Sequence, residues 1–172
     1  AGKTVIINQV LSNRINTSRA VSYTTREKRS NEINGKDYYF VTKDQFKELA
    51  LKGKFIEHSK VYGNFYGTSE DSFKEIEDGK DVIKIIDFQG AMKFKNSELK
   101  ASYLFFAPNS IETIKQRLIK RGDKDINERL MVFEREFSFR YECDFYLDTS
   151  GETNEDIEKC TRKVIEFIDS LK

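Results

Sequence analysis

The sequence predicts an α/β fold in which a parallel sheet is flanked by helices. Short apolar segments alternate along the chain with amphipathic ones, as they do where strands alternate with helices. Val82–Ile86 and Ser102–Ala107 are nearly continuous apolar runs, which are typical of parallel strands buried on both faces. Asp87 follows the first run, at the carboxyl end of its strand, where open α/β sheets bind their ligands.

Apolar spacing and turn residues place the other elements. In the first half of the chain they predict a helix over Val5–Leu11, strands over Ala20–Tyr23 and Asp37–Val41, a helix that a Thr42/Gln45 capping box begins and Gly53 ends, strands over Phe55–Ile56 and Val61–Tyr62, a turn over Gly63–Gly67, and a short helix from Ser69 to Gly79. In the second half they predict a helix capped by Ser110, a helix over Ile126–Glu142, a strand over Phe145–Leu147, and a last helix capped by Thr153.

Length and charge limit the classes of function. The chain has 172 residues, which predicts one domain, and 30 Lys and Arg against 29 Asp and Glu give a net charge of +1. This balance excludes the overall positive field of a general nucleic-acid binder. The sequence contains only two cysteines and no apolar run long enough to cross a membrane. We therefore expect a cytoplasmic protein with no membrane or nucleic-acid partner.

Gly2-Lys3-Thr4 stands directly before the first predicted helix, like the end of a phosphate-binding loop. In such a loop, backbone N–H groups and the helix N-terminus attract phosphates. The lysine reaches the terminal phosphates of the nucleotide, and the hydroxyl is placed to bind Mg²⁺. The alternative is a tripeptide that occurs by chance.

A polar loop carries two arginines, Arg26 and Arg29, near a strand that contains Tyr38. Two guanidinium groups three residues apart can clamp a dianion. Tyr38 and Tyr66 each lie in a short segment beside glycine and offer phenol donors at low entropic cost. The alternative is a solvated basic loop, which is what most runs of charge are.

Glu57 ends a predicted strand just before the glycine-rich turn. A carboxylate there could accept two N–H bonds from a purine edge that carries both an amine and a ring N–H. The alternative is an ordinary exposed glutamate.

Three other features carry less weight. His58 has no Ser or Cys partner pattern, which argues against a general base. Cys160 fits the apolar stripe of the last helix. Asp87–Gly90 matches the D-x-x-G motif of GTP-hydrolysing switch proteins, but the N-K-x-D motif that accompanies it there is absent from this sequence.

Taken together, these stretches resemble guanylate kinase along the whole chain. The order and spacing of the matching motifs carry the resemblance. The motifs are Gly2-Lys3-Thr4, Ser22-x-Thr24-Thr25-Arg26-x-x-Arg29-x-x-Glu32, Asn34-Gly35-x-Asp37-Tyr38-x-Phe40-Val41, Phe55-Ile56-Glu57, Gly63-Asn64-x-Tyr66-Gly67-Thr68, Asp87-x-Gln89-Gly90-Ala91 and Arg117-Leu118-x-x-Arg121-Gly122.

The resemblance implies a P-loop kinase that transfers the γ-phosphoryl group of ATP to GMP, and also to dGMP, with Mg²⁺. It implies a role for each matching residue. The GMP phosphate would be held by Arg26, Arg29, Tyr38 and Tyr66, with Glu32 bracing them; guanine would be read by Ser22, Glu57 and Thr68, with Asp87 beside them; ATP would be bound by Gly2, Lys3, Thr4 and Arg117, with Thr4 also on Mg²⁺; and Lys3, Arg121 and Arg129 would act on the transferring group.

The resemblance also implies a division of the chain into three parts. These are a core over residues 1–24 and 70–172, a mixed GMP-binding subdomain over about 25–69, and a mobile lid over about 118–134 that excludes water when it closes. We further expect a strand and a first loop glycine ahead of Ala1.

Three departures from the family pattern bear on function. Ile85 stands where the family usually has an acid, the stretch from Gly122 to Arg129 is slightly short, and Asp148 or Thr149 replaces an asparagine near adenine. Ile85 keeps open the alternative of a catalytically inactive protein-interaction module with this fold. A kinase for another monophosphate is a second alternative, although adenine lacks the paired donors that would suit Glu57.

Overall fold

The computed structural model describes residues 3–96, 100–120, 122–123 and 125–172. Its helices are α1 (Lys3–Asn13), α2 (Lys43–Leu51), α3 (Phe88–Lys95), α4 (Ile111–Lys120), α5 (Ile126–Phe137) and α6 (Asn154–Ser170), with 3₁₀ helices over Glu70–Ile76 and Ser138–Tyr141. Its strands are β1 (Thr17–Ala20), β2 (Ser22–Thr24), β3 (Tyr38–Phe40), β4 (Phe55–Val61), β5 (Asn64–Ser69), β6 (Asp81–Lys84), β7 (Leu104–Ala107) and β8 (Phe145–Asp148). The chain forms two compact units, one of residues 1–15 and 101–172, the other of residues 16–100. The predicted division into core, subdomain and lid stays a prediction.

In the first unit, α1 and α6 pack together through apolar faces. The buried residues are Ile6, Ile7 and Val10 on α1, and Val164 and Ile168 on α6. Polar contacts fix their register, because Thr161 Oγ1 donates to Gln9 Oε1 at 2.8 Å and Arg14 pairs with Asp169. The Thr153 cap predicted for α6 is confirmed as a capping box with Asp156.

The same unit contains the parallel pair β7 and β8, in register from Leu104↔Phe145 to Ala107↔Asp148. Ser110 begins α4 as predicted, and its Oγ accepts a hydrogen bond from the Thr113 N–H at 3.1 Å. The single helix predicted over Ile126–Glu142 is wrong only in its last five residues. The α-helix ends at Phe137, and the chain continues as the 3₁₀ helix.

In the second unit, β1 and β6 form a parallel pair from Thr17↔Asp81 to Ala20↔Lys84. The strand predicted over Val82–Ile86 therefore begins one residue earlier and ends two residues earlier. The pairing ends at Lys84 because β1 ends at Ala20, and Asp87 then begins α3 as its N-cap, with its side chain accepting from the Gly90 N–H at 3.0 Å. Helix α3 was not predicted.

The second unit also contains a mixed sheet in the order β3-β2-β5-β4, with β2 parallel to β3 and the other pairs antiparallel. The predicted turn over Gly63–Gly67 is wrong. Tyr62 and Gly63 alone make the turn, with φ of 47° and 79°, which suits a two-residue hairpin between β4 and β5. The two short strands predicted on either side of Glu57–Lys60 are one strand, and the predicted Ala20–Tyr23 strand is divided between β1 and β2.

One face of the mixed sheet is aromatic and packs against α2. Phe46 of α2 stacks on Phe55 and Phe65 at centroid distances of 4.6 and 5.4 Å, and Tyr23 stacks on Tyr39 at 4.7 Å. The Thr42/Gln45 capping box that begins α2 is confirmed. Of the residues described, none form a helix with the length and apolar character needed to span a membrane.

Candidate nucleotide site

The opposite face of the mixed sheet gathers most of the residues predicted to bind GMP. Side chains alternate along a strand, and residues paired across strands share a face. The pairs Glu57↔Thr68, Thr24↔Tyr66 and Ser22↔Tyr38 therefore place their side chains on one face. A turn over Gly63–Gly67 would have hidden this relationship, because Tyr66 and Thr68 share a face only as strand residues.

Glu57 and Thr68 form a buried pair on this face. Glu57 is 6% exposed and Thr68 is fully buried, and Thr68 Oγ1 donates to Glu57 Oε1 at 2.5 Å. Burial raises the pKa of Glu57, and the Thr68 hydrogen bond opposes that rise. The Thr68 hydrogen is committed to the carboxylate, so in this structure Thr68 holds Glu57 in place.

Asp87 lies beside this pair and is held from two sides. Its Oδ1 accepts from the Gly90 N–H, and its Oδ2 accepts from the buried Ser59 Oγ at 2.9 Å. Its negative charge also raises the pKa of Glu57. Ser59 was not among the predicted site residues, although its position two residues after Glu57 puts it on the same face.

Gly90 is needed for the close approach of α3 to Glu57. A Cβ at this position would lie 2.8 Å from Ile86 Cγ1 and 3.0 Å from Glu57 Oε2. The first distance is shorter than real Cβ contacts and the second is tighter than most of them, so a larger residue would displace Ile86, the carboxylate or the helix. This accounts physically for the glycine in the Asp87-x-Gln89-Gly90-Ala91 motif.

Lys84 is the main residue that the sequence analysis missed. It is the last residue of β6, and its Nζ donates to Ser22 Oγ. Burial lowers the pKa of Lys84 to about 8, while the negative charges of Glu57 and Asp87 act in the opposite direction. The available signal was a single lysine within the otherwise apolar run Val82–Ile86.

Glu32 links the two arginines that are predicted to clamp a phosphate, Arg26 and Arg29. Glu32 Oε1 accepts from Arg26 Nη2 at 2.6 Å, and Glu32 Oε2 accepts from the Arg29 backbone N–H at 2.8 Å. Burial opposes ionisation in both partners, but their mutual hydrogen bond and charge raise the pKa of Arg26 and lower that of Glu32. The Arg29 side chain is exposed and forms no hydrogen bond or ion pair with any residue described.

The two predicted tyrosines lie next to Arg26. Tyr38 and Tyr66 meet edge to face at a centroid distance of 6.0 Å, and the Arg26 guanidinium carbon is 5.6 Å from the centre of the Tyr38 ring. Burial, followed by the neighbouring Tyr66, raises the pKa of Tyr38. Each phenol offers an O–H donor beside a cation, which suits a phosphate ligand.

Two threonines of the Ser22-x-Thr24-Thr25-Arg26 motif anchor the arginine loop to β5. Thr24 Oγ1 donates to the Phe65 carbonyl at 3.0 Å and accepts from the Arg26 N–H at 3.2 Å. Thr25 Oγ1 accepts from the Phe65 N–H at 2.9 Å. The motif thus ties the start of the clamp to the strand that carries Tyr66 and Thr68.

In the first unit, Lys3 and Thr4 occupy the first turn of α1, and both are exposed. Gly2 and Arg121 lie outside the described residues. Arg129 is described on α5, where Nη2 lies 3.6 Å from Asp123 Oδ1. In the described part of the chain, no group of three or more His, Cys, Asp or Glu residues could hold a metal ion.

Arg117 lines a cavity of about 370 Å³ within the first unit. Its Nε donates to Glu152 Oε1 at 2.9 Å, and its Nη2 donates to the Ser150 carbonyl at 2.9 Å. Thr149 also lines the cavity, and its buried Oγ1 has no hydrogen-bond partner among the residues described. Cys160, on the apolar stripe of α6, lines it too and is half-buried, so this side chain is not part of the fully buried core. His58 is exposed, as expected of a solvated side chain.

Comparisons with known proteins identify the family to which the chain is similar. The family model described as guanylate kinase matches residues 1–171. A guanylate kinase of Wolbachia pipientis is 39% identical over 169 residues, covering 95% of this chain and 82% of the relative. One of Thermotoga maritima is 37% identical over 175 residues, covering 99% of this chain and 82% of the relative.

The fold is similar to that of a solved structure as well. The crystal structure of guanylate kinase from Anaplasma phagocytophilum aligns with a TM-score of 0.78 and 31% identity, over 97% of this chain and 80% of that chain. This match confirms the predicted α/β fold class. The chain belongs to the guanylate kinase family, as its motifs predicted.

Proposed function

We propose that this chain catalyses the transfer of the terminal phosphoryl group of ATP to GMP, and to dGMP. The observation that carries the proposal is the polar face of the mixed sheet. This face carries the buried Glu57 carboxylate, which suits the N–H groups of guanine. The Arg26–Arg29 clamp, which suits a phosphate, belongs to the same compact unit of residues 16–100. Family membership supports the same activity.

The acceptor is selected by two different chemistries. Guanine presents a ring N–H and an amine on one edge, and an ionised Glu57 can accept both bonds. The GMP phosphate is a dianion, which suits the paired guanidinium groups and the Tyr38 and Tyr66 phenols. Glu32 fixes Arg26 and the Arg29 backbone, so the clamp is partly organised before GMP binds.

The donor ATP would use the residues of the first unit. Its phosphates suit the N-terminus of α1, where Lys3 and Thr4 are exposed. Its adenosine suits the cavity lined by Arg117 and Thr149, in which the Thr149 hydroxyl would gain a partner. Mg²⁺ prefers phosphate oxygens and water with few protein ligands. We infer that it enters as part of the Mg–ATP substrate, with the Thr4 hydroxyl as its protein ligand.

Phosphoryl transfer needs positioning and positive charge more than a covalent nucleophile. Lys3, Arg121 and Arg129 remain the residues proposed to stabilise the transferring group. No feature of the described ranges favours the inactive protein-interaction module. The cytoplasmic location and the absence of nucleic-acid partners stay predictions.

A substrate panel tests the proposal. The protein is mixed with Mg–ATP and, separately, with GMP, dGMP, AMP, UMP and CMP, and ADP formation is measured. We expect turnover with GMP and dGMP alone. Absence of GMP turnover would contradict the kinase activity, and equal turnover with AMP would contradict the guanine assignment.

A further inference from the structure

We propose that Lys84 is a specificity-determining positioning residue of the acceptor site. By donating to Ser22 Oγ, it turns the Ser22 hydroxyl into a hydrogen-bond donor toward the ligand, so the site selects purines with an acceptor at position 6. This inference rests on the proposed function, because it concerns how that site reads the base. It assigns to Lys84 a role that the family motifs of the sequence did not include.

The first step of the argument is the polarity of the hydroxyl. An ammonium group has three donors and no acceptor, so Ser22 Oγ must accept from Lys84. The Ser22 hydrogen is then available for another acceptor. Within the part of the chain that the structure describes, Lys84 Nζ is the only hydrogen-bond partner of Ser22 Oγ. A bound base can therefore supply the missing acceptor.

The second step is the chemistry of the base. Guanine presents the O6 acceptor at position 6, whereas adenine presents an amino donor there. A Ser22 hydroxyl that is held as a donor can bond to the O6 of guanine, but it faces another donor in the amino group of adenine. Glu57 reads the ring N–H and the 2-amino group, so the two residues test different positions of the purine.

The third step is the charge around Lys84. The groups that face it are Ser22 on β2, Arg19 on β1, Glu57 on β4 and Asp87 after β6. Positive charge at Lys84 lowers the pKa of Glu57, which burial and Asp87 raise. Lys84 therefore also helps Glu57 to stay ionised, as acceptance of two N–H bonds requires.

The test compares GMP with two analogues, each of which differs from GMP at one position. GMP has an oxygen at position 6, 6-thio-GMP has a weaker acceptor there, and IMP keeps the oxygen but lacks the 2-amino group. We expect the wild type to prefer GMP to 6-thio-GMP in kcat/KM. In Lys84→Met this preference should fall about tenfold, the order expected for one hydrogen bond. The preference for GMP over IMP should change far less.

Two variants control the comparison. Lys84→Arg keeps a charged donor and should retain most of the preference at position 6. Lys93→Met removes another cation that lowers the pKa of Glu57 but does not contact Ser22, so it should leave the ratio of GMP to 6-thio-GMP unchanged. If Lys84→Met does not fold, Ser22→Ala serves instead, because it removes the hydroxyl that carries the discrimination.

The pH dependence gives a second readout. The pKa of Lys84 is about 8, so the KM for GMP should rise between about pH 7 and about pH 9 in the wild type, and this step should be smaller in Lys84→Met. An unchanged preference at position 6 in a folded Lys84→Met variant, or in Ser22→Ala, would overturn the inference while leaving GMP kinase activity intact. A wild type without GMP turnover would instead overturn the proposed function.

Discussion

Thr68 Oγ1 donates a hydrogen bond of 2.5 Å to Glu57 Oε1 across the register pair that joins β5 to β4. The bond lowers the pKa of a carboxylate whose pKa burial raises. The hairpin therefore both places the guanine-reading group and favours its ionised form.

Thr68→Val should weaken GMP binding with little change in shape. The substitution removes the hydroxyl, so the pKa of Glu57 rises further and more of it is protonated. We expect the KM for GMP to increase about tenfold and the KM for ATP to stay constant, as measured by steady-state kinetics. Thr68→Ser, which keeps the hydroxyl, should remain close to wild type. An equal effect of both variants would contradict the role of the hydrogen bond, because Thr68→Ser keeps the hydroxyl and Thr68→Val does not.

Glu57→Gln should stabilise the ligand-free protein and remove its preference for GMP as the phosphoryl acceptor. Because the pKa of Glu57 is raised on folding, its stabilising effect is complete below the unfolded pKa and is lost as pH rises through the folded pKa. At neutral pH the ionised carboxylate therefore costs stability, and the neutral amide avoids that cost.

We expect Glu57→Gln to raise Tm at neutral pH by about 2–4 °C, and to lose the further rise that GMP gives the wild type. The kcat/KM for GMP should fall about a hundredfold, because a charged acceptor of two N–H bonds is lost. Differential scanning fluorimetry with and without GMP measures both shifts. A lower Tm in the free variant would contradict the sign argued from the pKa.

The sequence predicted the membership of this site better than its geometry. Order and spacing of the motifs brought together Ser22, Glu57, Thr68 and Asp87, and the structure describes all four in one unit. The sequence did not predict that Thr68 donates to Glu57, because the prediction of a turn over Gly63–Gly67 left Thr68 outside any strand. Glycines suggested the long turn, but Gly67 is a buried strand residue whose absent side chain makes room for Phe46 and Phe55.

Lys84 shows the other limit of the sequence. A run of apolar residues identifies a strand, yet it does not say which neighbour a single polar residue will meet. The contact with Ser22 depends on the pairing of β6 with β1, which sets Lys84 opposite Ala20, and on the start of β2 at Ser22, two residues after Ala20. Such contacts between distant segments follow from topology, which local patterns do not determine.

Arg29→Ala and Arg26→Ala should separate binding from stability. The Arg29 side chain is exposed, so its removal should change the free energy of unfolding by less than about 0.5 kcal/mol. Removal of Arg26 leaves the Glu32 carboxylate, whose side chain is 13% exposed, without its ion pair, and should cost about 1–3 kcal/mol.

Both variants should raise the KM for GMP by about a hundredfold while ATP affinity stays near wild type. Urea denaturation gives the stability difference, and isothermal titration gives the two affinities. A matched loss of ATP affinity in Arg29→Ala would show that the clamp has been assigned to the wrong nucleotide.

Gly90→Ala should impair GMP binding through the position of Glu57. The new Cβ would stand 3.0 Å from Glu57 Oε2 and 2.8 Å from Ile86 Cγ1, so one of them must move. We expect a loss of about 1–3 kcal/mol in stability and an increase of about tenfold in the KM for GMP.

Gly53→Ala provides the matched control for this effect. Gly53 has a φ of 67° and nothing within 4 Å of its would-be Cβ. An alanine there costs about 1–2 kcal/mol of backbone strain but should leave the KM for GMP unchanged. Equal KM values in both variants would show that Gly90 does not govern the placement of Glu57.

Arg117→Met should weaken ATP and spare GMP. Arg117 holds the Ser150 carbonyl and Glu152, and it lines the cavity proposed for adenosine. Its loss removes a charged donor from that cavity, so the KM for ATP should rise about tenfold.

Lys120→Met is the control, because Lys120 lines the same cavity but its side chain is 81% exposed and lies 3.7 Å from Glu152 Oε2. Its effect should be smaller, since an exposed ion pair contributes little. If Arg117→Met instead raised the KM for GMP and left that for ATP unchanged, the cavity would have to be reassigned, because the variant alters the cavity and its Ser150–Glu152 wall.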